Sequence, residues 1–214
     1  MTTYQLVGFN VRMSPVRQPE ATRAKILETA LELFHQRTFS GTSVNEIVEK
    51  AGITKGALFH HFKGKNELGY AVVDELLREE VRAIWKENLL TATDPVTALL
   101  GILQQLGSRI RENPEMLRCG CPINNLTQEM SSVDDGFRRR LQVVYAEWFA
   151  AIESALRAGI EAGTVRPDLD PRCAETTLVA LFEGSVGLIK VHQSLEFMQS
   201  LDVGITAFLE GLRP

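Results

Sequence analysis

Three features of the sequence predict an all-α protein in which a three-helix N-terminal domain is joined to a larger helical body. Apolar residues recur at spacings of three and four along most of the 214 residues, the period of a half-buried helix. Helix start and stop signals punctuate that period, among them Ser43 with Glu46 and the pairs Asp94-Pro95 and Asn113-Pro114. No stretch holds the period of two that marks a half-buried strand. The composition, 44% apolar and 23% charged, excludes a disordered chain. No apolar run reaches the roughly 18 residues of a membrane span. The patterns divide the chain into an N-terminal arm over residues 1–19, a helix-turn-helix domain over 20–66 and a larger helical domain over 67–214.

Residues 1–19 hold Arg12 and Arg17 among scattered apolar residues, without the apolar block and cleavage site of a signal peptide, so a flexible arm is expected. Ile26, Leu27, Ala30, Leu31, Leu33 and Phe34 then form one stripe, predicting a helix from Glu20 to Arg37 that stops at Ser40-Gly41. Ser43 and Glu46 have capping-box spacing ahead of Val44, Ile47, Val48 and Ala51, which predicts a short second helix. Gly52 supplies the turn, and Thr54 can cap a third short helix containing Ala57, Leu58 and Phe62. This succession is a helix-turn-helix. Leu68, Val72, Val73, Leu76, Leu77, Val81 and Ile84 continue helically to Leu90 as a connecting helix. Asp94-Pro95 opens the next helix and Asn113-Pro114 ends it. Further helices are expected over 115–129, 134–163, 171–193 and 195–212, with a turn-rich joint over 164–170.

The net charge of −4 is unevenly spread. Residues 1–66 carry nine Lys and Arg against five acids, a balance of +4 that leaves −8 for the rest. A basic third on an acidic body is the pattern of a phosphate-binding module attached to a regulatory one. The third helix presents Lys55, Gly56, Ala57, Phe59, His60 and His61, and Lys63 and Lys65 follow it. Lysines there can displace counterions condensed on DNA, and a helix start offers free N–H groups to phosphate. Small residues such as Gly56 and Ala57 let a helix approach the major-groove floor, where the Ala57 methyl or the Phe59 ring can meet a thymine methyl. His60 and His61 can reach base edges or phosphate, although for either one alone an ordinary surface position is as good an account.

The stretch FSGTSVNEIVEKAGITKGALFHHFKGKNEL, from Phe39 to Leu68, resembles the DNA-binding signature of TetR-type regulators, and with the preceding helix the likeness covers roughly Ala21 to Leu77. The resemblance implies that Thr42, Ser43 and Asn45 meet the DNA backbone or base edges. It implies that Lys55, Gly56, Ala57, Phe59 and His60 face bases, with Thr54 at the helix start, and that His61, Lys63 and Lys65 lie near phosphates. Phe59 stands where the family commonly has tyrosine, which removes a phenolic hydrogen bond. Implied as well are a cytoplasmic homodimer, repression at a palindromic operator in double-stranded DNA, and release by a small-molecule inducer.

Near the C-terminus Met198, Leu201, Ile205, Phe208 and Leu212 repeat at coiled-coil-like spacings. The preceding helix offers Leu178, Leu181, Ser185, Leu188 and His192 at the same spacings, with Gly184 and Gly187 permitting close approach. Two copies could form a four-helix bundle, so the dimer interface is expected at Leu181, Ser185, Leu188, Met198, Leu201, Ile205 and Phe208. Packing within one chain is the alternative.

The segment from Arg118 to Leu126 resembles the GC-containing segment of a TetR subgroup that includes sensors of reactive electrophiles, with Cys121 at the GC cysteine. Lys190 could face it, and a nearby cation would favour the reactive thiolate. A packed, inert cysteine is the plain alternative. For a noncovalent ligand, Trp148 and Phe182 offer walls together with Trp85, Tyr145, Phe149 and Met116, while Asn124, Asn125, Gln128 and His192 offer polar anchors. Cys119 and Cys121 are too close for the usual zinc spacing, and neither a metal nor a cofactor is expected. An odd count of three cysteines, with no secretory signal, points to reduced thiols in the cytoplasm. Two other functions remain open to the sequence: a helical enzyme using Cys121 with His192 or Glu129 as base, and a dimeric protein-binding adaptor.

Overall fold

The computed structural model describes residues 18–214. Of the arm expected over 1–19, only Gln18 and Pro19 fall among the described residues, and they open α1 (Gln18–Arg37); the rest of it lies outside them. The described chain is helical throughout and divides into two compact units. One runs to Glu80 and takes in Pro122–Val144; the other comprises Val81–Cys121 and Tyr145–Pro214.

In the first unit α1 packs against α2 (Val44–Ala51), α3 (Lys55–His61) and α4 (Lys65–Ala71). Its stripe of Ile26, Leu27, Ala30, Leu31, Leu33 and Phe34 is buried and meets Ile47, Ala51, Leu58, Phe62 and Leu68 from the others in one core. α1 ends at Thr38, whose φ of 73° is left-handed, ahead of the Ser40-Gly41 stop read from the sequence. Beyond α4 the helical path continues through a π-helical stretch (Val72–Leu77) into α5 (Arg78–Val81). The backbone shift to bonding five residues back is visible where the Arg78 N–H donates to the Val73 carbonyl.

This unit is larger than the 20–66 domain expected. α9 (Pro122–Met130) and the start of α10 (Asp135–Glu161) pack into it because Phe137 and the Glu129 carboxylate fit the turn after α1. The Phe39 ring lies edge-on to Phe137 (4.8 Å between centroids) and tilted to Phe34 (5.0 Å). Gly69 allows that approach, since a Cβ there would come within 2.5 Å of Phe137 and 2.7 Å of Phe39. Asp134 caps α10 by accepting the Phe137 N–H (3.0 Å) and the Tyr70 hydroxyl (2.9 Å).

The second unit continues through another π-helical stretch (Arg82–Lys86) and α6 (Glu87–Leu90) to α7 (Pro95–Glu112). α7 begins as read, with Asp94 accepting the N–H groups of Val96 and Thr97. Asp94 also accepts from Arg213 near the C-terminus (2.8 Å). Burial works against its ionisation, but these donors outweigh that and hold the carboxyl at about 2. The helix expected over 115–129 is two pieces, α8 (Met116–Cys119) and α9, because Gly120 takes a φ of 74° and Pro122 has no N–H to carry the ladder through. α11 (Pro171–His192) and α12 (Leu195–Glu210) complete the unit, where Leu117, Ile189 and Met198 form a buried cluster with Ile110, Leu195 and Leu201 around it.

Candidate nucleic-acid interface and sensory residues

The helix-turn-helix forms as its caps dictate. The Glu46 N–H donates to Ser43 Oγ (3.2 Å) and the Ser43 N–H donates to Glu46 Oε2 (2.7 Å), the complete capping box. Those bonds, with Arg37 alongside, hold the Glu46 carboxyl below its ordinary range. Gly52 takes the left-handed conformation (φ 61°) that ends α2. Thr54 Oγ1 then accepts the Ala57 N–H (3.1 Å) to start α3.

On α3, Leu58 faces the core at 0% exposure while Lys55, Gly56, Phe59 and His60 point outward, Phe59 being 45% exposed. A half-exposed aromatic ring beside lysine and histidine is a surface that a groove-binding helix can use for apolar contact with a thymine methyl. Gly56 has no internal reason to be glycine, since a Cβ there would meet only Thr54 Oγ1 at 3.9 Å and its φ is not left-handed. Ala57 and His61 are half-buried and Lys63 is exposed. Burial first, then the charges of His60 and Arg23, holds His61 below the ordinary histidine value. Ser43 and Asn45 are exposed at the start of α2.

Besides the caps Ser43 and Thr54, Thr42 and Lys65 of the expected set are engaged inside the unit. Thr42 is 1% exposed, and its hydroxyl donates to the carbonyls of Thr38 (2.8 Å) and Leu33. Lys65 donates to the carbonyls of Phe39 (3.1 Å) and Thr42 (3.0 Å) and lies over the Phe39 ring. Glu129 holds the same turn from α9, accepting the N–H groups of Phe39 (2.8 Å) and Ser40 (2.7 Å). Burial opposes its ionisation, but these bonds prevail and keep it below the usual carboxylate range. Both residues thus brace the turn that delivers the chain to α2.

The expected sensing residues are divided between the units. Asn124, Asn125 and Gln128 lie on α9 in the first, Gln128 donating to Asn124 Oδ1 (3.4 Å). Cys121, Trp148, Phe182 and Lys190 lie in the second. There the Cys121 thiol donates to Glu183 Oε1 (3.3 Å), a bond that holds the proton on sulfur and so does not favour the thiolate. The Lys190 charge is felt at Cys119, where burial nevertheless raises the thiol's pKa. Glu183 is only 8% exposed, and burial lifts its carboxyl to about 7, offset in part by the thiol. No sequence signal singled it out; an acid on the apolar face of a predicted core helix is the one hint. Of the two bases considered for an enzyme, Glu129 holds the turn just described, and His192 stacks on Phe197 at 3.8 Å. Among the described residues no group of three or more His, Cys, Asp or Glu could hold a metal ion, and no helix is long and apolar enough to cross a membrane.

The C-terminal seam turns inward. Met198 and Ile205 are buried in their own chain, as is Ser185, while Leu201 and Phe208 are half-buried. Leu181 (39% exposed) and Leu188 (48%) do face outward, in line with Gly184 and Val191. On α12 the exposed stripe is Ser200, Val203, Gly204 and Ala207, shifted by two residues from the seam expected. Gly184, Gly187 and Gly204 all have open space where a Cβ would stand.

A helix-turn-helix with an exposed basic second helix, carried by a chain that continues into a helical body, defines the class as a DNA-binding regulator of transcription. Residues 26–72 match the family model described as "Bacterial regulatory proteins, tetR family", and residues 95–202 match "Tetracyclin repressor-like, C-terminal domain". The chain belongs to the TetR family of transcriptional regulators. It is 27% identical over 205 residues to the HTH-type transcriptional repressor DhaR of a Mycobacterium species, covering 94% of both chains. It is also 27% identical over 206 residues to the HTH-type transcriptional regulator TtgR of Pseudomonas putida, covering 92% of this chain and 93% of that one. A TetR transcriptional regulator of Chloroflexus aurantiacus superposes with a TM-score of 0.80 at 26% identity, over 92% of this chain and 98% of the other.

Proposed function

We propose that the protein is a repressor that binds a palindromic operator as a homodimer and leaves it when its helical body takes up a small molecule. The observation that carries the DNA contact is the outer face of α3, where Lys55, Gly56, Phe59 and His60 are exposed on a helix fixed from beneath by Leu58. Ser43 and Asn45 extend that contact from α2, and Thr54, Ala57, His61 and Lys63 complete it. The dimer is supported by the exposed apolar stripes on α11 and α12, whose glycines leave room for close helix approach. A second copy is the occupant that operator symmetry calls for: two recognition helices must reach half-sites ~34 to 36 Å apart. The inducer then acts by preferring a state in which that spacing is lost, so inducer and DNA each weaken the other's binding by the same factor.

DNase footprinting of the DNA flanking its gene tests this. A protected two-fold symmetric site is expected, with half-sites one helical turn apart or a multiple of it. Protection of a single asymmetric half-site would contradict the dimer, and no protection at the concentrations that protect family operators would contradict the repressor.

A further inference from the structure

The chain has two tryptophans, and they touch each other. Trp85 and Trp148, both in the second unit, have ring centroids 4.8 Å apart. Phe182 lies nearly perpendicular to both, at 5.4 and 5.6 Å, and Tyr145 stacks parallel to Trp148 at 6.0 Å. Both indoles are buried, at 3% and 1% exposure. The Trp148 Nε1–H nevertheless meets no hydrogen-bond acceptor among the described residues. A buried indole N–H ordinarily finds one, because taking it out of water without replacing the lost bond is unfavourable.

Resting on the regulator reading above, we propose that this aromatic cluster is the inducer contact, and that the inducer is a planar aromatic compound whose neutral acceptor oxygen takes the Trp148 Nε1–H. Flat rings suit the faces and edges the cluster offers, and one unmet donor among them fixes orientation. Tyr145 and Phe182 are half-buried, so they are the rings that yield to an entering ligand while the two indoles stay. A neutral oxygen, such as a carbonyl or an ether, can accept that N–H without carrying an unpaired charge into an apolar cluster, which a carboxylate would do. Trp148 belongs to α10, the helix that also carries Phe137.

The test uses the full-length protein without DNA, with acetophenone and flavone as probes and α-methylstyrene as the acetophenone isostere that lacks the oxygen. A nitrogen–proton correlation spectrum resolves the two indole N–H groups, and Trp85→Phe assigns the one from Trp148. Both carbonyl probes should move that proton downfield and quench tryptophan fluorescence saturably. α-Methylstyrene should bind several-fold more weakly than acetophenone. Trp148→Phe, which keeps a ring but removes the donor, should weaken acetophenone and flavone roughly tenfold by calorimetry, the scale of one lost hydrogen bond. The proposal is overturned if neither carbonyl probe moves the Trp148 resonance, or if acetophenone and α-methylstyrene bind alike. A protein that binds its operator but fails this test refutes the ligand class alone; one that passes it and binds no DNA refutes the regulator reading instead.

Discussion

The buried Glu183 carboxyl, paired with the Cys121 thiol, fixes a pH dependence that can be worked out in sign. Its folded pKa of about 7 lies above the unfolded value of 4.5, so the folded state holds the proton that the unfolded state releases. Its contribution is therefore most favourable below 4.5, declines as pH rises from 4.5 to about 7, and is flat beyond. The decline is on the order of 3 kcal/mol for a group buried to this degree. Glu183→Gln keeps an oxygen for the thiol and should flatten urea-unfolding midpoints across that window; an unchanged slope would place the dependence elsewhere. Lysines separate in the same way. Lys55 is exposed, and Lys55→Ala should reduce the salt slope of DNA binding by about one, with stability unaltered. Lys65 braces two carbonyls, and Lys65→Ala should lower the unfolding midpoint. The sequence motif could not separate these two lysines, nor show that the Thr42 hydroxyl turns inward, because a signature records residue type and spacing while hydrogen bonding depends on which carbonyls the turn brings within reach.

At the scale of elements, the caps of α2 and α3 fix where the proposed recognition helix sits. Those caps were readable because Ser43, Glu46, Gly52 and Thr54 act through their immediate neighbours, and local chemistry is what spacing encodes. Gly56→Leu adds a side chain that nothing in the fold opposes, so thermal stability should hold or rise slightly while operator affinity falls at least tenfold. A matching loss of stability would mean that Gly56 serves the fold instead. Gly69→Ala is the complementary case: its Cβ meets two packed rings, and destabilisation of about 1–3 kcal/mol is expected from urea titration. Two elements were misjudged for one physical reason. Apolar periodicity says that a face is buried but not against what, so the Met198–Ile205 seam, read as a dimer contact, packs within its own chain. Likewise the run over 115–129 kept its helical period across Gly120, although the backbone turns there.

For the whole molecule, the all-α class was legible from period alone, whereas the boundary at residue 66 was not. Residues 122–144 join the first unit through side chains such as Glu129 and Phe137 that meet the turn after α1 from about 90 residues along the chain, a separation no local pattern reports. The exposed stripe of Leu181, Leu188 and Val203 predicts that Leu188→Glu yields a monomer in sedimentation and loses tight operator binding while staying folded. A folded variant that remains dimeric would move the interface elsewhere. Sequence reading by α3 is checked by fluorescence anisotropy of the wild-type protein and Gly56→Leu against the DNA beside its own gene and a scrambled control, at several salt concentrations. Tight, salt-steep binding by the wild type to the genuine site is expected, and for the variant a loss confined to that site. Equal wild-type affinity for both DNAs, or a Gly56→Leu variant that binds as well as the wild type, would contradict it.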